Sequence, residues 1–243
     1  MHKADRQLFV FAISVCVVVS ALLSTAATLL KERQELMVEL DRKRNVLVAF
    51  GVNIYDEDGR RLGVEAVDQI FADHIREIIL DGQTGEPIEG LTSTDIDPRD
   101  LRDKDSYLPL FLWEEDGEIR YYAFPISGLG LWSVIYGYLA LENDLATIRG
   151  ITFYAHGETP GLGAEIEREW WQEQFEGKKL FKDGEPTEFR VVKGGVERRY
   201  PDGHPSAVDG LSGATVTAEG VARFINQDFR RYNKYFETIR GDS

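Results

Sequence analysis

Cysteine is almost absent from this chain of 243 residues, because Cys16 is the only one. A single cysteine excludes an internal disulfide, a cysteine-based zinc site and an all-cysteine iron–sulfur cluster. Histidine is also scarce, and its four residues show no metal-ligand spacing: His2, His74, His156 and His204. The common cysteine- and histidine-based metal sites are therefore not expected.

Positive charge is in short supply as well. The chain has 28 Lys and Arg against 42 Asp and Glu, which gives a formal net charge of −14. Phosphate recognition needs a cationic footprint, so the charge balance excludes a nucleic-acid-binding protein. It also argues against electrostatic docking onto anionic lipid. Hydrophobic residues make up 43% of the chain, which is too many for a disordered protein and enough for one sizeable core.

One long run, Leu8 to Leu30, contains no charge and no proline. As a helix it would be about 34 Å long, enough to cross a hydrocarbon layer of about 30 Å. A cleaved signal peptide is the alternative, but its apolar part is usually shorter. The run therefore predicts a retained single-span membrane anchor. The count of Lys and Arg weakly favours a cytoplasmic location for the C-terminal side, so topology stays open on this evidence.

The rest of the chain predicts an α+β fold, an antiparallel sheet with flanking helices, because no βαβ alternation is visible. We expect residues 31 to about 50 to continue the anchor as a charged helix. An amphipathic helix is expected from about Val64 to Leu80, and a loop over Thr92–Ser106. Turn residues separate short apolar runs that are typical of a meander, followed by a short helix over Glu165–Phe175. The remaining expected elements are strands Tyr107–Trp113, Ile119–Phe124, Trp132–Leu141, Ile148–Tyr154 and Phe189–Val192, and a C-terminal helix with Val221, Phe224, Ile225, Tyr232, Tyr235 and Phe236 on one face.

These expectations divide the chain into four parts. Residues 1–7 form an N-terminal tail and residues 8–30 the transmembrane helix. Residues 31–106 form a connecting region of helix and loop packed on the domain. Residues 107–243 form the core of one ligand-binding domain.

The sequence lacks the motifs of several common binding and catalytic sites. The segments Gly128–Gly130 and Gly161–Gly163 are each only Gly-x-Gly, so they are interpreted as tight turns, and neither a dinucleotide site nor a phosphate-binding Walker loop is predicted. Ser212 is not part of a nucleophile elbow, and a hydrolase triad is not expected. The many paired carboxylates are interpreted as surface.

The segment from Asp209 to Thr217 differs from these, because it consists of small residues directly before the amphipathic C-terminal helix. Small side chains let a bulky group approach the backbone, and hydroxyls at a helix N-terminus suit a phosphate. The alternative is simple capping of the helix by Ser212, Thr215 or Thr217, which physics alone favours.

The four residues Ser212-Gly213-Ala214-Thr215 resemble the flavinylation motif of bacterial membrane flavoproteins, in which FMN is joined by its phosphate to threonine. Further stretches are similar, in the same order, to the C subunit of the sodium-translocating NADH:quinone oxidoreductase: Gly130–Ser133, Gly157–Gly163, Gly177–Phe181 and Val192–Gly195. The resemblance is densest from Gly128 to Val221. The G subunit of the Rnf electron-transport complex shares part of the pattern, and the segments Gly130–Ser133 and Gly177–Phe181 favour the quinone-reductase subunit.

The resemblance implies an electron carrier in a sodium-pumping complex that passes electrons from NADH to ubiquinone. It implies five partner subunits, attachment of FMN by a dedicated flavin transferase, and a flavin domain on the periplasmic side of the bacterial inner membrane. The last point conflicts with the weak charge count. A membrane-anchored sensor that binds an extracytoplasmic ligand without redox function is the competing class.

The same resemblance assigns candidate roles to ten residues. Thr215 is the covalent acceptor, and Asp209, Ser212, Gly213 and Ala214 belong to its motif, with turn stabilisation as the alternative. The flavin ring is expected near Trp132, Glu158, Thr159, Leu162 and Lys193. The alternatives are ordinary core for Trp132, a turn at Pro160 for Glu158 and Thr159, and a solvated charge for Lys193. No metal site and no complete active site are expected in this chain alone.

Overall fold

The computed structural model describes residues 3–96 and 103–241, in two units that divide after Arg42. The first helix, α1, runs without a break from Lys3 to Ala49. Its segment Phe9–Lys31 is long and apolar enough to cross a bilayer, with a mean hydropathy of 2.4 and none of it buried. The hydroxyls of Ser14, Thr25 and Thr28 donate to backbone carbonyls four residues earlier, which satisfies them inside the helix.

The second unit is built on one antiparallel sheet of six strands, in the order β2-β1-β3-β4-β5-β6. These strands are β1 (Ile75–Asp81), β2 (Pro87–Ile88), β3 (Tyr107–Glu115), β4 (Glu118–Leu129), β5 (Val134–Glu142) and β6 (Ile148–Ala155). Two smaller sheets follow, an antiparallel pair of β7 (Phe181–Lys182) with β8 (Glu185–Pro186) and a parallel pair of β9 (Arg190–Val192) with β10 (Ala207–Asp209). The further helices are α2 (Val64–His74), α3 (Glu169–Gln172), α4 (Val196–Arg199) and α5 (Thr215–Gly241).

Both faces of the sheet are covered. One face packs against α5, whose buried side chains Phe224, Tyr232 and Phe236 meet Phe124 and its neighbours in the main core. The opposite face carries a smaller cluster around Phe50, Phe111 and Tyr138. Because β3 is buried on both sides, its sequence is a nearly continuous apolar run and not an alternating one.

The predicted α+β fold, with an antiparallel sheet and flanking helices after one apolar N-terminal helix, is confirmed. The helical extension beyond the anchor and the four meander strands are also observed, with ends shifted by a few residues. The C-terminal helix buries the predicted face, with Tyr235 partly buried.

The prediction of one helix from Val64 to Leu80 is wrong. Helix α2 ends at His74, and residues 75–81 form β1, which pairs with β3 over its whole length. Ile75, Ile78 and Ile79 satisfy a helical spacing, but they are β-branched, and pairing with a neighbouring strand overrides the local pattern. Residues 75–81 and 87–88 therefore lie in the central sheet, within the region 31–106 that was interpreted as connecting.

Other segments are more broken than expected. The single helix predicted over Glu165–Phe175 is a 3₁₀ turn at Gly163–Glu167, the short α3 and a second 3₁₀ turn at Glu173–Phe175. The loop predicted over Thr92–Ser106 contains a 3₁₀ turn at Ser93–Asp95, and its residues 97–102 lie outside the described part.

Candidate functional site

The N-terminus of α5 is the centre of the candidate site. Helix α5 begins at Thr215 and is preceded by Ala214, which has no side-chain oxygen to cap it. Gly213 has a φ of +75°, and a β-carbon there would lie 2.9 Å from Cδ2 of Leu162, so glycine suits this turn on both counts. The first amides of a helix have no intrahelical acceptor, and the helix dipole adds a partial positive charge. This end of α5 is therefore suited to an anion.

A cavity of about 430 Å³ lies directly against this helix end. Its walls come from the end of β9, the glycine pair that follows it, the loop after β10 and the first turns of α5: Val191, Lys193, Gly194, Gly195, Asp209, Gly210, Leu211, Ser212, Gly213, Thr215, Ala218 and Glu219. The volume lies within the range of small-molecule and cofactor sites. Five of the predicted site residues, Asp209, Ser212, Gly213, Thr215 and Lys193, are thus brought together.

A buried carboxylate ties a second loop to the same helix. Glu158 is 5% exposed and accepts hydrogen bonds from the backbone amides of Leu131, Trp132 and Ser133, at 2.9 to 3.2 Å. Its Oε2 also accepts the hydroxyl of Thr217 at 2.6 Å. Glu158 therefore fixes the loop that carries Trp132 against the first turn of α5.

These hydrogen bonds set the ionisation of the carboxylate. Burial raises the pKa of Glu158, but the bonds from the Thr217 hydroxyl and the three amides outweigh it, so the pKa lies below its ordinary value. Glu158 is ionised at neutral pH and acts as an acceptor only. This makes it a structural anchor of the site.

The two threonines of the helix start differ in accessibility. Thr217 is 1% exposed and its hydroxyl is engaged with Glu158. Thr215 is partly exposed and lines the cavity. A hydroxyl that must react with an incoming group has to be reachable, so only Thr215 meets this condition among the two.

Asp209 supports the cavity wall from outside the helix. Its Oδ1 accepts the amide of Val196 at 2.6 Å, and its carbonyl accepts the indole N–H of Trp171 at 2.9 Å. Its own amide donates to Oε1 of Gln174 at 2.9 Å. These contacts agree with the alternative role of Asp209, which is to stabilise the turn.

An exposed apolar surface adjoins the helix end. Trp132 is 70% exposed, which excludes the core alternative for this residue, and Leu131, Leu162 and Val216 are each more than 40% exposed. We call these four residues the apolar rim. Glu158 and Thr217 hold the loop of Leu131 and Trp132 near Val216, while Leu162 contacts the position of Gly213.

The remaining predicted residues have plainer surroundings. The carbonyl of Thr159 accepts the amides of Leu162 and Ala164, both at 3.1 Å, so Thr159 begins the turn that contains Pro160 and Gly161. Lys193 is exposed and faces the cavity from the end of β9.

Sequence reasoning missed several parts of the site. It did not find Thr217 as the partner of Glu158, because the two residues are 59 positions apart. It also did not place Gly194, Gly195, Gly210 and Glu219 on the cavity wall. The adjacent pair Gly194 and Gly195, which follows a short predicted strand, was the one sequence signal for this wall of the cavity. Such glycines often mark a place where the backbone comes close to a ligand.

Comparison with known proteins identifies the family. Residues 130–228 match the FMN-binding domain family. The chain is 39% identical over 230 residues to the C subunit of the Na(+)-translocating NADH-quinone reductase of Yersinia pestis, with 87% of this chain and 83% of the relative covered. The same subunit of Vibrio anguillarum is 36% identical, with 89% and 86% covered. The chain belongs to the family of C subunits of the Na(+)-translocating NADH-quinone reductase.

Solved structures agree with this family assignment. The crystal structure of NqrC from Shewanella oneidensis has a TM-score of 0.70 and 30% identity, and the match covers 83% of this chain and 97% of that one. The C subunit from Parabacteroides distasonis has a TM-score of 0.69 and 28% identity, with 85% and 96% covered. The chain is thus an electron-carrying flavoprotein subunit of a multi-subunit sodium-translocating oxidoreductase, and FMN is its cofactor.

Proposed function

We propose that FMN is bound covalently in this C subunit, through a phosphoester between its phosphate and the hydroxyl of Thr215. The observation that carries the proposal is the position of Thr215, which starts α5 and faces a cavity of about 430 Å³. The residues present suit the group, because the cavity combines an accessible hydroxyl, helix amides and Lys193. The apolar rim offers Trp132, Leu131, Leu162 and Val216 as a surface for a flat ring.

In this proposal each residue has a defined task. The first amides of α5 hold the negative charge of the phosphate, and Lys193, which was expected near the ring, supports them from the end of β9. Gly213 leaves the backbone accessible, while Ala214 is buried in the main core and packs the start of the helix. Glu158 and Thr159 act through the loops that they hold, Glu158 by fixing the Trp132 loop and Thr159 by closing the turn before Leu162. FMN supplies the chemistry of accepting and releasing electrons, while this chain binds and orients it.

The covalent bond reaches the phosphate end of the cofactor, so the ring is influenced only by its noncovalent neighbours. A tethered cofactor cannot diffuse away, even in a redox state that the site binds weakly. Attachment is phosphoryl-group chemistry: the Thr215 oxygen would lose its proton and replace a leaving group on the flavin phosphate, such as the nucleotide monophosphate of a flavin dinucleotide donor. We propose a Mg²⁺-dependent flavin transferase as the maturation enzyme for this step. Asp209, Ser212 and Gly213 would present the acceptor to that enzyme.

The wider setting is also part of the proposal. The chain works with five other subunits in the bacterial inner membrane, relaying electrons between redox centres on the path from NADH to ubiquinone. The anchor α1 crosses the membrane once, and the flavin domain lies on the periplasmic side. An apolar span of 23 residues supports the single crossing.

The proposal is tested by flavin fluorescence of the denatured subunit in a gel. Protein made together with the transferase should fluoresce, and Thr215→Ala should abolish the signal. Thr238→Ala is the matched control, because it removes an exposed hydroxyl from the far end of α5 and leaves the site intact. Thr217→Ala tests the neighbouring hydroxyl. A fluorescent Thr215→Ala band would overturn the assignment, as would loss of the signal only in Thr217→Ala.

A further inference from the structure

A second cavity, of about 520 Å³, lies beside the Thr215 cavity and shares Val191, Lys193 and Glu219 with it. We call it the arginine groove. It runs between the segment of β9 and the exposed side of α5, with Tyr200 and Arg199 at its rim. Its lining includes five cationic side chains, Arg190, Lys193, Arg199, Arg223 and Arg230, and two carboxylates, Glu188 and Glu219. This excess of positive charge occurs in a chain whose net charge is −14.

The groove is elongated along the helix. Glu219, Arg223, Gln227 and Arg230 follow one another at helical spacing on one side of α5, and all four are exposed. The distance from the first to the last corresponds to about 16 Å along the axis. An extended peptide of about five residues has the same length. The shape therefore matches an extended segment better than a compact ion.

Some cationic groups are already held in position. Arg190 donates to Oε2 of Glu188 at 2.6 Å and to the hydroxyl of Tyr200 at 3.2 Å. Hydrogen bonds from Arg190 and Arg199 lower the pKa of Tyr200, which reflects the positive field at this rim. For Lys193, Arg199, Arg223 and Arg230, the described part of the chain contains no carboxylate within salt-bridge distance. Arg199 hydrogen-bonds the Tyr200 hydroxyl and Arg223 donates to the carbonyl of Leu129 at 3.5 Å, so these cations have polar contacts but no anionic partner among the described residues.

The groove is also lined by Val191, Val192 and Ala222, of which the last two are buried. Guanidinium groups bind carboxylates in a two-pronged geometry, and opposite charge speeds the encounter of two proteins and fixes their register. The chain is a subunit of a multi-subunit complex, so protein partners are present by necessity.

We propose that the arginine groove is a docking surface for an acidic segment of another subunit of the reductase complex. The segment lies extended along α5, with its carboxylates on Arg199, Arg223 and Arg230. Because the groove adjoins the Thr215 cavity, the contact holds the flavin domain against its neighbour close to the cofactor tail. The proposal rests on membership of the complex and does not require the covalent bond.

The test uses the complete complex, purified through a tag on this subunit. The groove variant carries Arg199→Gln, Arg223→Gln and Arg230→Gln together. The control carries Arg60→Gln, Arg61→Gln and Arg76→Gln, which changes the net charge equally at exposed positions away from the groove. We expect about tenfold weaker retention of the other subunits in the groove variant at low salt, because three ion pairs are lost, and the gap to the control should shrink as salt is raised and screens those pairs.

A peptide titration tests binding to the groove directly, without the other subunits. The full-length chain should bind a hexaglutamate peptide in a titration at low salt, and the groove variant should not. Equal retention of partner subunits in the groove and control variants would overturn the proposal. Loss of gel flavin fluorescence in the groove variant would also overturn it, because the surface would then serve cofactor attachment. The Thr215→Ala variant should keep its partner subunits, which separates a failure of this proposal from a failure of the covalent one.

Discussion

At the scale of single residues, the site depends on two polar groups with opposite accessibility. Thr215 lines the cavity, while Glu158 is buried and uses its hydrogen-bonding capacity on Thr217 and three amides. The Thr215 side chain is accessible from the cavity, and Glu158 keeps the surrounding loops in place.

Glu158 gives a pH-dependent prediction. Its folded-state pKa lies below the ordinary value of 4.5, so it stabilises the fold above that pH and loses its contribution as the pH falls through the folded-state pKa. Glu158→Gln should therefore lower the free energy of unfolding by about 1–3 kcal/mol at pH 7, with a gap to wild type that shrinks below about pH 4.5. Denaturant titrations of the full chain in detergent measure both values.

The control for this experiment is Glu176→Gln, which removes an exposed carboxylate and changes the net charge equally. It should follow the wild-type stability curve throughout. A constant gap between Glu158→Gln and wild type from about pH 7 to about pH 3 would contradict the assigned role.

A second buried carboxylate also carries a prediction. Asp228 is 1% exposed and accepts Lys104 Nζ at 2.5 Å and the Ser127 amide at 2.9 Å, while burial raises its pKa. Lys104→Met should destabilise the protein by about 3 kcal/mol at pH 7, because it removes one of the two cations of a buried carboxylate and leaves only Arg231, at 3.3 Å, to balance its charge. The loss should be smaller at acidic pH, where Asp228 becomes protonated, and a larger loss there would contradict this account. The same denaturant titrations provide the measurement.

At the scale of elements, the contact of α5 with β4 positions the site. A β-carbon at Gly220 would lie 2.6 Å from the carbonyl oxygen of Leu129, so the helix can approach the end of the strand this closely only with glycine. The same approach brings the start of α5 to the loop that carries Trp132.

Gly220→Ala tests this contact. Helix propensity alone would make alanine more stable by about 1 kcal/mol, whereas the clash should destabilise the fold by about 1–3 kcal/mol. Gly241→Ala is the control, because a β-carbon there meets nothing within 4 Å. A melting temperature of Gly220→Ala at or above that of wild type would show that α5 does not pack as described.

The elements also show where sequence patterns suffice. The meander strands were predictable from apolar runs and turn residues, and α5 from its helical spacing. The β1 strand was not, because Ile75, Ile78 and Ile79 suit both a helix and a strand, and only pairing with β3 decides between them. The motif singles out Thr215 as the candidate acceptor, but its difference in accessibility from Thr217 depends on a hydrogen bond to Glu158 that no local pattern contains.

At the scale of the whole molecule, an uncharged span and an acidic domain are joined in one chain. The span anchors the protein in the membrane. Our proposal that the domain lies on the periplasmic side rests on the family resemblance and not on the weak Lys and Arg bias. Strand β9 was expected, but β10 and its parallel pairing with β9 were not, and this pair supplies one wall of the candidate cofactor cavity.

Orientation is tested by cysteine labelling. In a Cys16→Ala background, Arg60→Cys introduces a thiol at an exposed position of the domain. A membrane-impermeant maleimide should label it in cells whose outer membrane is permeabilised, while Lys3→Cys should react only after lysis of the inner membrane. The reverse pattern would place the domain in the cytoplasm.

The central claim is the covalent attachment of FMN at Thr215. The most direct measurement is mass spectrometry of the tryptic peptide from Tyr200 to Arg223, taken from protein purified out of native membranes. The account predicts that this peptide carries the mass of FMN less one water, and that fragmentation places it on Thr215. An unmodified peptide, or a flavin on Ser206, Ser212 or Thr217, would contradict it.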